Sequence, residues 1–161
     1  MRVLPVRFDK EVWYNGHYRA ETVNQIRLAG IAGPCVLVGF SKSALGAINI
    51  ALENPKLFQA VLIYDAPLAL VQVPPWNTAD FYNQTQWAND LPINKIPGIR
   101  GLLGTVKLRH IGGTAFSPQH DRFDQALGPI PKNYEYFREP FMAHHWDSGW
   151  LSKYHNFGVL I

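Results

Sequence analysis

The sequence predicts an α/β fold with a mainly parallel sheet and flanking helices. Two stretches, CVLVGF at 35–40 and FQAVLIY at 58–64, are apolar without alternation. Such runs suit strands covered on both faces, as a parallel sheet requires. Between them Ala44, Leu45, Ile48, Ala51 and Leu52 recur at helical spacing, so the segment reads as strand, helix, strand, the βαβ unit of α/β proteins.

The remaining elements follow in chain order. MRVLPVRF is β-compatible but interrupted by Pro5, which suits an edge strand or an extended loop. Residues 9–18 form a polar and aromatic connection. Residues 19–28 predict a helix on the stripe Val23, Ile26 and Ala29, ended by Gly30 and Gly33-Pro34. The helix after the first apolar strand ends at Asn54-Pro55. Gly46 inside it costs about 1 kcal/mol against Ala, which points to close packing on the sheet. Residues 74–104 are rich in Pro, Asn, Trp and Gly, with a short helix near 83–89, and predict a lid-like insertion in a single domain spanning 1–161. TVKLRHIGG at 105–113 resumes the sheet. SPQHDRFDQAL predicts a helix with Ser117 as N-cap and Pro118 at its first position. NYEYFRE at 133–139 is a last strand, and DSGWLSKYHNF a final short helix.

Composition narrows the function classes. The chain has 161 residues, 47% apolar and 17% charged, so it is globular rather than disordered. The net charge of +3 comes from singly scattered Lys and Arg, which gives no footprint for nucleic acid. The single cysteine, Cys35, excludes an internal disulfide and a Cys-based structural zinc site. No apolar run reaches membrane-spanning length, and the N-terminus lacks a charged start followed by a long apolar core. The expectation is a soluble cytoplasmic protein with no membrane partner.

Chemistry concentrates at Gly39-Phe40-Ser41-Lys42-Ser43. A serine lifted above a sheet at a tight strand-to-helix turn needs small residues two before and two after it, so that strand and helix can approach. Gly39 and Ser43 are those residues here. A helix starting after Ser41 also places the Lys42 backbone N–H where an oxyanion would form. A nucleophilic serine needs a base and an orienting acid. MAHHWDSGW supplies His144 and His145 after the last strand, where the last member of such a set belongs in chain order.

Taken together, LVGFSKSALGAINIALENPKLFQAVLIYDAPL and HHWDSGWL resemble the α/β-hydrolase superfamily, and within it the esterase-like serine hydrolases. The resemblance covers most of the chain, from Val36 to Leu151. It implies a shortened hydrolase fold, cleavage of a small-molecule acyl ester, no cofactor and no metal. It implies Ser41 as nucleophile and His144 as base, through the His-x-aromatic-like run His144-His145-Trp146, with His145 as runner-up. For the acid it leaves two positions. Asp121 follows the strand after the insertion; Asp65 ends the strand before it. Asp65 is preferred, because a strand end aims its side chain more predictably than a helix interior.

The chain departs from this pattern before the elbow. Superfamily members usually carry three or more strands there, and a loop after one of them supplies a second oxyanion N–H. Only residues 1–34 precede the elbow strand, and no HG or HGGG loop lies among them. A non-catalytic fragment or binding module of the same fold is therefore the alternative expectation, and an exposed sheet edge would favour association with a second copy. Among other residues, His110 reads as a satisfied strand histidine, His120 and His155 as surface residues, Lys42 as solvated, and Gly112-Gly113 as a turn. Trp76, Phe81, Tyr82 and Trp87 read either as an acyl pocket or as ordinary lid packing.

Overall fold

A computed structural model describes residues 3–31, 33–129 and 132–154. Among these, β1 (Cys35–Phe40), β2 (Phe58–Tyr64), β3 (Lys107–Gly112) and β4 (Tyr134–Arg138) form one sheet in the order β1-β2-β3-β4, each pair parallel. Parallel neighbours in chain order need crossovers. These are α2 (Lys42–Glu53) from β1 to β2, α3 (Gln84–Asp90) and α4 (Ile96–Leu102) from β2 to β3, and α5 (Ser117–Leu127) from β3 to β4. Before β1 comes α1 (Gly16–Leu28), and after β4 the short α6 (Trp150–Tyr154).

The alternation of β2 divides the core. Val61 and Ile63 join Ala44, Ile48, Ile99, Phe123 and Leu127 beneath the crossover helices. Ala60, Leu62 and Tyr64 point to the other face, where Ile111 and Trp150 cover them. Both faces of β2 are thus buried, the physical reason its sequence is apolar from Ala60 to Tyr64. The hydroxyl of Tyr64 is buried there without a hydrogen-bond partner among the described residues.

Several expectations change in detail. The helix read at 19–28 begins at Gly16, because the Asn15 side chain accepts from the His17 and Tyr18 N–H groups as N-cap. The N-terminal segment from Val3 to Phe8 pairs with no strand. Gly46 makes room for the ring of Tyr14 rather than for the sheet: a Cβ there would lie 2.5 Å from that ring. Helix α5 has Phe116, not Ser117, at its N-cap position. The segment read as a lid is anchored in the core. Trp87 and Tyr82 are buried against Trp13 and Leu45, and Trp87 Nε1 donates to the Leu70 carbonyl at 2.6 Å. Trp76 is exposed. His155 lies outside the described residues. No helix among the described residues is long and apolar enough to cross a membrane.

A buried cation fastens this frame. Arg19 on α1 pairs with Glu53 on α2 and Asp90 on α3, and Asp90 also accepts from Tyr82 and Lys95. Without Arg19, Asp90 would keep Tyr82 and Lys95, and Glu53, whose side chain is 43% exposed, would turn to water. Arg19→Ala is expected to destabilise the fold by about 1.5–3 kcal/mol, read as a lower urea midpoint. A loss below about 1 kcal/mol, the scale of an exposed pair, would contradict this role.

Candidate active site

The site lies at the carboxyl ends of the strands, where open α/β sheets bind ligands. At the end of β1 the chain turns sharply into α2, and Ser41 takes φ 54° and ψ −122°. This conformation is strained for a residue with a side chain, at a cost of about 1–3 kcal/mol. Ser41 N–H donates to the Tyr64 carbonyl at 2.9 Å, and the Ser41 carbonyl accepts from Ala44 N–H at 3.1 Å. Gly39 is required by contact: a Cβ would lie 2.5 Å from the Ser43 carbonyl oxygen and 2.6 Å from Ala44 Cα. Ser43, the second small position, locks the turn. Its hydroxyl donates to the Phe40 carbonyl at 2.8 Å and accepts from the Phe40 N–H at 2.9 Å. Gly39→Ala is expected to push strand and helix apart and destabilise the protein by about 1–3 kcal/mol. A melting temperature equal to wild type would contradict that packing.

Three sequence-expected side chains meet here. Ser41 Oγ lies 3.0 Å from His144 Nε2, and His144 Nδ1 lies 2.7 Å from Asp65 Oδ2. The imidazole is held in place by rings: it stacks on Phe40 at 4.6 Å and meets the edge of Phe116 at 5.4 Å. Its side chain is 33% exposed, whereas Asp65 is fully buried. His145 is exposed, and His144 is the histidine on Ser41. Asp121 does not join the group. Its carboxylate accepts from the Tyr136 hydroxyl at 2.8 Å and pairs with Arg138 at 3.3 Å, because α5 turns that side chain toward β4. Lys42 is the first residue of α2, so its N–H has no acceptor within the helix. Its ammonium pairs with Glu11 rather than standing solvated.

Asp65 follows β2 and is itself at φ 40°. Its N–H extends the ladder to the Ile111 carbonyl at 2.8 Å. Oδ1 accepts from the Gly113 N–H at 3.1 Å and from His120 Nε2 at 2.9 Å. Burial works to raise the Asp65 carboxyl, but hydrogen bonds from His120 and His144 outweigh it and hold the group well below the usual carboxylate range. Asp65 is therefore an anion that only accepts. His144 then carries its proton on Nδ1 and offers the Nε2 lone pair to Ser41. No group of metal-ligating residues occurs among the described residues.

His120 and the glycine pair change most from the sequence reading. His120 is fully buried, not on the surface. Gly112 makes room for it, since a Cβ there would meet the His120 ring at 2.7 Å, and Gly113 makes room for Trp150 and Asp65, which a Cβ would meet at 2.5 and 2.8 Å. Two glycines at a strand end, a histidine on that strand and another in the next helix were the available signal.

A cleft of about 370 Å³ lies beside Glu11, lined also by Lys10, Asn15, Tyr18, Asn77, Asp80 and Phe81. Of the aromatic residues considered for an acyl pocket, only Phe81 lines it.

The model of an esterase family, described as "Putative esterase", matches residues 18–115, which include Ser41 and Asp65. The chain belongs to this esterase family. His144 lies beyond the matched span. Solved structures share the esterase fold at low identity. One is a ferulic acid esterase, with TM-score 0.68, 15% identity, and coverage of 88% of this chain and 58% of that one. Another is the S-formylglutathione hydrolase FrmB of Staphylococcus aureus in apo form, with TM-score 0.60, 14% identity, and coverage of 90% and 61%. The chain thus spans about three fifths of the length of these structures. A search of curated protein sequences gave no match.

Proposed function

We propose that this chain is a serine esterase that cleaves a small acyl ester through Ser41, His144 and Asp65. The observation that carries the reading is the unbroken series Ser41 Oγ–His144 Nε2 and His144 Nδ1–Asp65 Oδ2 at the carboxyl ends of the sheet. Membership of an esterase family supports the substrate class.

The steps follow from the donors and acceptors. Ser41 Oγ attacks the carbonyl carbon as its proton passes to His144 Nε2. The imidazolium so formed is stabilised by the ionised Asp65. The carbonyl oxygen becomes an oxyanion, to which the Lys42 N–H at the start of α2 donates. Collapse expels the alcohol, which takes the proton from His144, and leaves an acyl group on Ser41. Water then attacks the acyl carbon, gives its proton to His144, and releases the acid as the proton returns to Ser41. No cofactor takes part.

A second reading, a hydrolase-fold module that binds without turnover, is favoured by one observation: the chain spans only 58% and 61% of its solved relatives. A missing second oxyanion donor costs about 100- to 1000-fold in turnover. Acid-quenched mass spectrometry during p-nitrophenyl acetate hydrolysis separates the two. The esterase reading expects an acetyl adduct on Ser41 and continued release of p-nitrophenolate. Neither signal from the folded chain would leave the binding module.

A further inference from the structure

We propose that His120 is a positioning residue for Asp65, fixing the proton pattern of the site from behind the acid through a buried histidine relay. The inference rests on the esterase reading for its kinetic consequence, but its geometry stands apart from it. His120 Nε2 lies 2.9 Å from Asp65 Oδ1, His120 Nδ1 lies 2.8 Å from His110 Nε2, and His110 Nδ1 lies 3.2 Å from the Tyr134 hydroxyl. Asp65, His110 and His120 are all fully buried, so water cannot substitute for any of these contacts.

The proton on His120 follows from the anion at the end. Asp65 accepts, so His120 carries hydrogen on Nε2. The hydrogen on His120 Nε2 therefore points at Asp65. His120 Nδ1 and His110 Nε2 share the next hydrogen bond, and the Tyr134 hydroxyl, which also hydrogen-bonds the Asp124 carboxylate, closes the series at His110 Nδ1. Burial, followed by the neighbouring His120, pushes His110 well below the usual imidazole range. His110 is itself fixed by Tyr136, stacked on it at 4.6 Å, and by the edge of Phe123 at 5.7 Å.

The consequence falls on His144. One carboxylate oxygen, Oδ2, faces the imidazole; the other is occupied by His120 and the Gly113 N–H. This holds the plane of the carboxylate and keeps Oδ2 on His144 Nδ1. A histidine merely filling space would not set Nε2 at 2.9 Å from the carboxylate that faces His144.

Two variants separate the contacts of His120. In His120→Gln the amide reaches the Nε2 position and can still donate to Asp65. In His120→Asn it reaches only the Nδ1 position, keeping His110 and losing Asp65. With p-nitrophenyl acetate, His120→Asn is expected to lose about 10- to 100-fold in kcat with KM little changed, and His120→Gln to stay within about fivefold of wild type. Equal kcat in the two variants would overturn the proposal. A readout without turnover keeps the test independent of the esterase reading. In ¹⁵N-histidine NMR of the wild-type chain, His120 is expected to carry hydrogen on Nε2 and His144 on Nδ1. A His120 with no hydrogen on Nε2 would overturn the proposal even if neither variant folds. The expected hydrogens in a chain without hydrolysis would support the proposal while sinking the esterase reading.

Discussion

Ser41→Ala is expected to lower kcat for a short-chain aryl ester by about 10⁴- to 10⁶-fold while the fold is retained. The oxygen that forms the covalent intermediate is gone, and His144 keeps a lone pair with nothing to deprotonate. Stability should change little, because alanine suits φ 54° no better than serine does and, among the described residues, the hydroxyl loses one hydrogen bond, to His144. Alanine keeps the Cβ and hence the strain, so the packing of β1 on α2 is unaltered. Assay of purified Ser41→Ala beside wild type, with melting temperatures for both, measures each part. Hydrolysis within tenfold of wild type would mean that the turnover belongs elsewhere.

Asp65→Asn has the next largest expected effect, about 10⁴-fold in kcat. The size of the change is subtle in volume and large in proton logic. An amide nitrogen facing His144 donates to Nδ1, which forces the imidazole proton onto Nε2, toward Ser41, where a lone pair is needed. His120 Nε2–H, which now donates to Oδ1, keeps a partner only if the amide oxygen takes that side. The new residue must then turn its NH₂ group to His144, the damaging orientation. Asp121→Asn serves as the control. Its carboxylate binds Tyr136 and Arg138, so kcat should remain within about twofold. Loss in Asp121→Asn with survival in Asp65→Asn would reverse the assignment of the acid.

The elbow was legible because its signals are local. An apolar strand, a small residue on either side of Ser41 and an apolar helix face are all written in consecutive residues, and they became β1, the turn and α2. The acid was legible only as a pair of options. Asp65 and Asp121 both follow sheet strands, and the choice depends on which way α5 rotates, a property of packing rather than of neighbouring residues. His120 was misread for the same reason. It sits between Gln119 and Asp121, a polar context that suggests water, yet its side of α5 faces β3 across Gly112. Helix α4 escaped notice because Pro97, Gly98 and Gly101 mask a stripe of Ile96, Ile99 and Leu102. The proline stands in the first turn, where its missing N–H costs nothing, and Ile99 is fully buried.

The family match and the site geometry address different questions. The match covers Ser41 and Asp65 but stops before His144, so the base rests on its hydrogen bonds to both of them.

The most direct test of Ser41 and His144 as a working pair is labelling with a fluorophosphonate, followed by peptide mass spectrometry to locate the adduct. The account predicts one adduct, on Ser41, absent in Ser41→Ala and formed at least about 100-fold more slowly in His144→Ala. A folded wild-type chain that takes no label, or takes it on another residue, would contradict the central claim.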